Sequence, residues 1–337
     1  MAIILYTGLD EQYALLDQGT WGTSPATNAA GQGLHIGAWD LKPTINFRER
    51  DVAKAQRYDK AEDMIADEKG VVHSPALPAI PFLKDQGDKF LYSVMQAVTE
   101  GTATPFTKTF TFGQTQPDFS ASGGYFLGVV NKMPVAGYSA LLYDAIMSEI
   151  TLSCAPGAND SMLTVEGNLF ARVQSETFNY SGTITYPDVA VGTDFFYFHD
   201  ITTKTIAGTA IILGDDGFKL TLRNGAKAVG AASGLYQTVA LTKYEVVLTI
   251  QALWDATLRT SMASLRSGTT EAIILEWGSA GADGHLNFTL SGKYREPRDL
   301  SHAKEGEFVT LTYKASGTYG GTVPLTVVQS NAIDRAW

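Results

Sequence analysis

Between Phe106 and Phe112 the chain places Phe106, Lys108, Phe110 and Phe112 against Thr107, Thr109 and Thr111. That period of two predicts a strand with one apolar face. Short runs rich in Val, Ile, Leu and Thr, bounded by turn residues, predict further extended segments in the first half. These lie at Leu34–Phe47, Val71–Leu83, Tyr125–Val130, Ser148–Cys154 and Met162–Val173. In the second half the same texture predicts strands at Phe218–Leu222, Tyr244–Leu253, Glu271–Trp277, His285–Tyr294 and Glu307–Lys314. Twice the period changes to that of a helix. Leu91, Val94, Met95 and Val98 make one apolar stripe over Asp88–Val98, with Asp88 expected as N-cap and Gly101 as the stop. Trp254, Leu258, Met262 and Leu265 make the matching stripe for a helix at Asp255–Arg266.

Each half runs in one order: extended segment, long loop, strand, short helix, then several strands. Self-similarity of this kind predicts a tandem duplication, with a first domain over 1–175 and a second over 176–337. The join is expected between Gln174 and Asp216. The alternative is chance agreement, because β-proteins with one helix are common. Length favours two units: 337 residues exceed the roughly 250–300 at which single cores stop growing. The expected fold class is mainly β, each copy carrying one short flanking helix.

Hydrophobic residues at 45% against 18% charged leave ample material for a core and argue against wholesale disorder. A net charge of −10 argues against tight nucleic-acid binding, which needs clustered Lys and Arg. It is compatible with DNA sliding past carboxylates that repel phosphate, and equally with ordinary solubility charge. Cys154 is the only cysteine, so neither an intrachain disulfide nor a cysteine zinc site is expected. Met1–Tyr6 is apolar but too short, and lacks the basic lead, for a signal peptide. No apolar run approaches the roughly 20 residues a bilayer requires, so no membrane partner is expected and a cytoplasm is the expected place of assembly.

Catalytic chemistry finds little footing. His35, His73, His199, His285 and His302 are scattered without metal-ligand spacing, and no HExxH, GxGxxG or Walker loop occurs. Gly137–Leu141 lacks the second glycine of a nucleophile elbow. Asp215-Asp216-Gly217 and Asp283-Gly284 fall between predicted strands and are expected as hairpin turns. No enzyme, metal or cofactor is expected. Of the tryptophans, Trp254 is expected in the core and Trp337 at a contact with a neighbour; an aromatic sugar platform is the competing use.

With these elements placed, the sequence resembles the tail tube proteins of siphophages, the long-tailed bacteriophages. The resemblance runs from Thr20–Thr23 (TWGT) through the charged loop and the strand-helix unit to Thr104–Phe112 (TPFTKTFTF) and Met147–Val173. It recurs in the second half at Gly217–Val229 (GFKLTLRNGAKAV) and in the closing strands. It implies a β-sandwich or partial barrel whose sheets join around a ring, with rings stacked into a tube that conducts DNA from capsid to host. Three chains would complete a ring if the duplication is real, six if it is not. Implied partners are other copies of the chain, tape-measure protein, tail terminator and tip proteins, and double-stranded DNA in passage. The implied location is the virion tail. The alternatives are a single-ring tail component, such as a terminator or baseplate protein, and a carbohydrate-binding adhesion module.

Two segments bear on assembly. Phe106–Phe112 and Leu286–Leu290 carry little of the Pro or charge that blunts exposed edges, which fits either edges awaiting a neighbour or central strands already covered. Arg48–Lys69 is the most charged stretch, with Arg48, Glu49, Arg50, Asp51, Lys54, Arg57, Asp59, Lys60, Glu62, Asp63, Asp67, Glu68 and Lys69 interleaving both signs. Those residues are the candidate inter-ring contact, setting register by complementary charge; a plain solvated loop is the alternative. Their counterpart, Arg223–Ala240, is nearly free of charge and is expected as a loop.

Overall fold

Alternation of apolar and polar side chains is translated almost directly into strands, because each strand can bury one face and leave the other wet. The computed structural model describes residues 11–36, 47–49, 64–66, 74–113, 124–133, 139–187, 194–232, 235–260, 271–294, 304–317 and 324–335. The first half opens with β1 (Gln12–Gln18) and β2 (Gly31–Gly33), then a small hairpin of β3 (Phe47–Glu49) and β4 (Met64–Ala66). Next come β5 (Ala76–Pro81), helix α1 (Gly87–Met95), β6 (Gln96–Glu100), β7 (Phe106–Phe112), β8 (Phe126–Lys132), β9 (Ser139–Cys154) and β10 (Thr164–Phe178).

The second half begins with β11 (Ile184–Thr185), β12 (Ile201–Ile206), β13 (Thr209–Ala210) and β14 (Leu213–Arg223). A hairpin of β15 (Ala226–Ala232) and β16 (Leu235–Leu241) follows, then β17 (Tyr244–Leu253) and a helical stretch at 256–260. The chain closes with β18 (Glu271–Trp277), β19 (His285–Tyr294), β20 (Phe308–Gly317) and β21 (Leu325–Asn331). Each half thus runs hairpin, strand, helix, antiparallel pair in the same order. The fold is mainly β.

Strand order resolves into two broad layers. One runs β5-β10-β9-β14-β17-β20 and the other β12-β18-β19-β21-β7-β6. They connect where the end of β19, Lys293 and Tyr294, turns to pair with Lys314 and Tyr313 of β20. β1 and β2 extend the first layer through β8, which pairs with the opening half of β9. The inner faces share one apolar core that draws Leu91, Phe110 and Leu152 from one half and Leu220, Leu248 and Phe288 from the other. Phe112 stacks on Tyr244 at 4.8 Å between centroids, and Trp277 lies among Phe196, Phe218 and Phe288. Trp254 is buried as expected; Trp337 lies outside the described residues.

Several expectations need correction. α1 stops at Met95 because Gln96 adopts a left-handed φ of 63°, its N–H donating to the Tyr92 carbonyl. Val98, the fourth member of the apolar stripe, therefore belongs to β6. Asp88 is not the N-cap: that position is Gln86, which makes no side-chain cap, and Asp88 lies buried in the first turn. Asp215-Asp216-Gly217 is not a turn but a bulge within β14, where pairing jumps from Leu213↔Ala252 to Phe218↔Ile250. Arg223–Ala240 is a hairpin rather than a loop. Of the two readings of Phe106–Phe112 and Leu286–Leu290, that of covered central strands holds: β7 lies between β6 and β21, and β19 between β18 and β21.

Candidate assembly surface

The two halves meet strand to strand. Phe218 to Arg223 of β14 pair in unbroken register with Cys154 to Glu149 of β9, so one sheet runs through from the first half into the second. On its outer side the register builds rows across strands. Glu149, Arg223 and Glu245 form one row; Thr151, Thr221, Val247 and Lys314 a second; Ser153, Lys219, Thr249 and Thr312 a third. Hydroxyls bond along the rows, with Thr151 and Thr221 at 3.1 Å and Ser153 and Thr164 at 3.0 Å.

The charges of this face neutralise one another. Arg223 Nε donates to Glu149 Oε2 at 2.7 Å and its Nη1 lies 4.0 Å from Glu245. Lys314 pairs with Glu245, and Lys219 lies 3.5 Å from Glu166. The hydrogen bond from Lys314 holds the Glu245 carboxyl below its ordinary range, and that to Glu149 raises Arg223. The result is a wide surface of hydroxyls and matched ion pairs. It is neither a bed of free cations that would hold phosphate nor the carboxylate lining that composition suggests.

Two polar clamps hold this sheet in place, and a third ties α1 to the other layer. Asp144, fully buried at a φ of 52°, accepts from the Gly22 N–H at 2.9 Å, from Arg172 Nη1 at 2.9 Å and from the Gln18 amide. Its own N–H donates to Gln18 Oε1 at 2.8 Å. The Thr20–Thr23 turn is thereby fixed, with Trp21 edge-on to Phe126 and under the Arg172 guanidinium. Gly22 has φ 77°, which favours glycine, and a Cβ there would press on Arg172 Nη1 at 3.2 Å.

Asn224, also fully buried, donates to the Met147 carbonyl at 2.8 Å and the Val94 carbonyl at 3.2 Å. It ties α1, β9 and the base of the β15–β16 hairpin together. Gly225, at φ 62°, turns the chain out of β14 into that hairpin.

The third clamp centres on Asp88. Its Oδ2 accepts from Lys108 Nζ at 2.8 Å and Arg335 Nε at 2.7 Å; Lys108 also donates to Asn331 Oδ1 at 2.8 Å and the Ile333 carbonyl at 2.9 Å. Sequence reasoning missed this site, although Lys108 on the phenylalanine face of β7 was its signal. Burial alone would raise the Asp88 carboxyl, but Arg335 and Lys108 outweigh it and hold it low.

Of the candidate inter-ring residues, Arg48 and Glu49 lie in β3, whose backbone pairs with β4. Arg50, Asp51, Lys54, Arg57, Asp59, Lys60, Glu62, Asp63, Asp67, Glu68 and Lys69 lie outside the described residues. His285 is buried with Nε2 3.0 Å from Glu276 Oε1; His73 and His302 also lie outside the described residues. Among the described residues no cluster of three or more His, Cys, Asp or Glu is arranged to hold a metal, and no helix is long and apolar enough to cross a membrane.

Comparison with curated proteins finds no match. Comparison with protein families matches residues 8–326 to the phage tail tube protein, nearly the whole chain. That match agrees with a mainly β fold whose sheet already runs across two halves. The chain belongs to the phage tail tube protein family, a structural component of the virion tail.

Proposed function

We propose that three copies of this chain close a ring of six tube folds, that rings stack into the tail tube, and that the hydroxyl-rich face of the through-sheet lines its lumen. The observation that carries this is the β9–β14 pairing, in which strands of the two halves join edge to edge as neighbouring subunits of a ring would. On this reading the chain is a tandem duplication, and the internal seam is the covalent version of the seam between chains. The ends of the through-sheet, β5 on one side and β20 with the close of β19 on the other, meet between neighbours.

DNA passes such a face without being held, because each cation on it is engaged by a carboxylate and little counterion release is to be gained. The charged stretch Arg48–Lys69 reaches the adjacent ring. Assembly takes place in the host cytoplasm, with tape-measure, terminator and tip proteins bounding the tube. Negative-stain electron microscopy across a concentration series tests this directly. Hollow filaments or rings with six lobes, and a ring mass of three chains, are the expected result. Compact particles at every concentration would overturn it.

A further inference from the structure

Strands β14 and β17 have chemically opposite ends. Where β14 begins and β17 finishes, Ile212 is 55% exposed and Phe308 48% exposed, two of the few large apolar side chains open to water among the described residues. They flank the end of β17 on its two sides: the Leu253 N–H donates to the Ile212 carbonyl, and Leu253 is the register partner of Phe308. Acids lie close to this row along the chain. Asp215, Asp216, Glu305 and Glu307 are all exposed there, with Lys304 beside them.

At the other end of the same two strands the β15–β16 hairpin leaves the sheet. Among the described residues its exposed charges are of the opposite sign. Val229 is 43% exposed, Lys227 is exposed on β15, and Lys243 is exposed where β16 passes into β17. The base of the hairpin is fixed by Asn224 and by Val239 and Leu241 packed against Trp21, Phe126 and Ile146.

We infer that the β15–β16 hairpin of one chain docks on the Ile212–Leu253–Phe308 row of a second copy in the next ring, with Lys227 and Lys243 facing the Asp215, Asp216, Glu305 and Glu307 rim. The two patches differ in sign and both carry exposed apolar groups, so neither suits a two-fold contact with itself. A contact between unlike patches at opposite ends of the same strands repeats without closing, which is how an axial stack grows. Exposed apolar groups inside a charged rim are the usual mark of a protein partner. The inference rests on the stacked-ring reading and adds the second half's contact to that expected of the charged stretch.

The test uses the full chain. Lys227→Glu with Lys243→Glu, and separately Asp215→Lys with Glu305→Lys, are each expected to give rings but lose tubes in electron micrographs. The chain carrying all four changes is expected to recover tubes, since the charges are exchanged rather than removed. Full-length tubes from either double variant, or no recovery in the fourfold variant, would overturn the docking while leaving wild-type tubes to support stacking itself. Wild-type protein that forms neither rings nor tubes would instead bring down the stacked-ring reading. Val229→Cys and Phe308→Cys, mixed as single variants and oxidised, should yield disulfide-linked dimers. Their absence from tubes under oxidation counts equally against the docking. The native Cys154 will not interfere, being buried with its thiol pushed up to about 12.

Discussion

Lys108 Nζ lies 2.8 Å from Asp88 Oδ2, and neither side chain is open to solvent. A lysine on the apolar face of β7, two residues from Phe110, would be untenable without that partner, because an isolated buried ammonium costs several kcal/mol. Arg335 shares the same carboxylate oxygen, and Asn331 bonds both Lys108 and the Lys84 carbonyl. The start of α1, strand β7 and the segment after β21 are therefore held as one unit, the first two from one half of the chain and the last from the other.

Breaking the pair is expected to be costly. Asp88→Asn leaves the fully buried Lys108 with the Glu100 carboxylate at 3.5 Å and should lower stability by about 3–5 kcal/mol, whereas Lys108→Met leaves Asp88 its Arg335 partner and should cost less. The folded Asp88 pKa lies below its unfolded value, near 3.9 for a free aspartate. Its stabilisation is therefore complete above that value and lost as pH falls through it towards the folded pKa. Urea midpoints measured from neutral pH down to about pH 3 should show the wild type losing stability in that acid window. Asp88→Asn should be weaker throughout and less sensitive to acid; an unchanged acid slope would remove Asp88 as its cause.

The apolar periodicity located most strands, including β7 and β19 with their full bounds, because each buries one face in a single layer. It failed where a local conformation is set by distant partners. Gln96 ends α1 by bonding Tyr125, far along the chain, and no helical stripe can record that. Asp88 reads as a cap because acids favour first turns, yet it is spent on Lys108 and Arg335. The polar face of the through-sheet was invisible for a different reason: its rows exist only once β9 and β14 are in register. Lys108 was the legible exception, a charge at an inward position that demanded a buried partner.

The Thr20–Thr23 turn depends on one carboxylate. Asp144→Ala removes the acceptor for Gln18, Gly22 and Arg172, and charge-assisted bonds of this kind contribute roughly 1.5–3 kcal/mol each without adding simply. A loss of about 3 kcal/mol is expected. Asp144→Asn should cost less, because asparagine tolerates the left-handed backbone and keeps one acceptor oxygen. Urea denaturation should rank wild type above Asn above Ala; equal stabilities for Asn and Ala would show that the charge, rather than the acceptor geometry, is what matters.

Although the two halves repeat an order of elements, they should not unfold separately. β14 depends on β9 and β21 depends on β7, while Phe112 and Tyr244 stack across the divide. Calorimetry should show one transition for the whole chain. Fragments 1–178 and 179–337, cut after β10, should aggregate when made alone, since each exposes a strand edge and half a core, and made together should associate into a soluble pair. A soluble, cooperatively folded 1–178 fragment would count against this interdependence.

The charged stretch and the β15–β16 hairpin occupy the same place in the order of the two halves, each leaving after an extended segment and returning into the strand before a helix. If both reach the neighbouring ring, they do so with different chemistry: interleaved charge from one, a nearly uncharged hairpin with two flanking lysines from the other. Deleting Val52–Lys69 should then leave ring formation intact, because the through-sheet and its edges are untouched, while tubes are lost. Salt offers a second reading of the same contact. Exposed charge pairs are screened as the Debye length falls from roughly 10 Å at 0.1 M to roughly 3 Å at 1 M, so wild-type tubes should shorten at high salt while rings persist. Sedimentation and micrographs of wild type and deletion variant across that range would separate the contributions. Tubes of normal length from the deletion variant would sink the role of the charged stretch and leave the second-half hairpin as the axial contact.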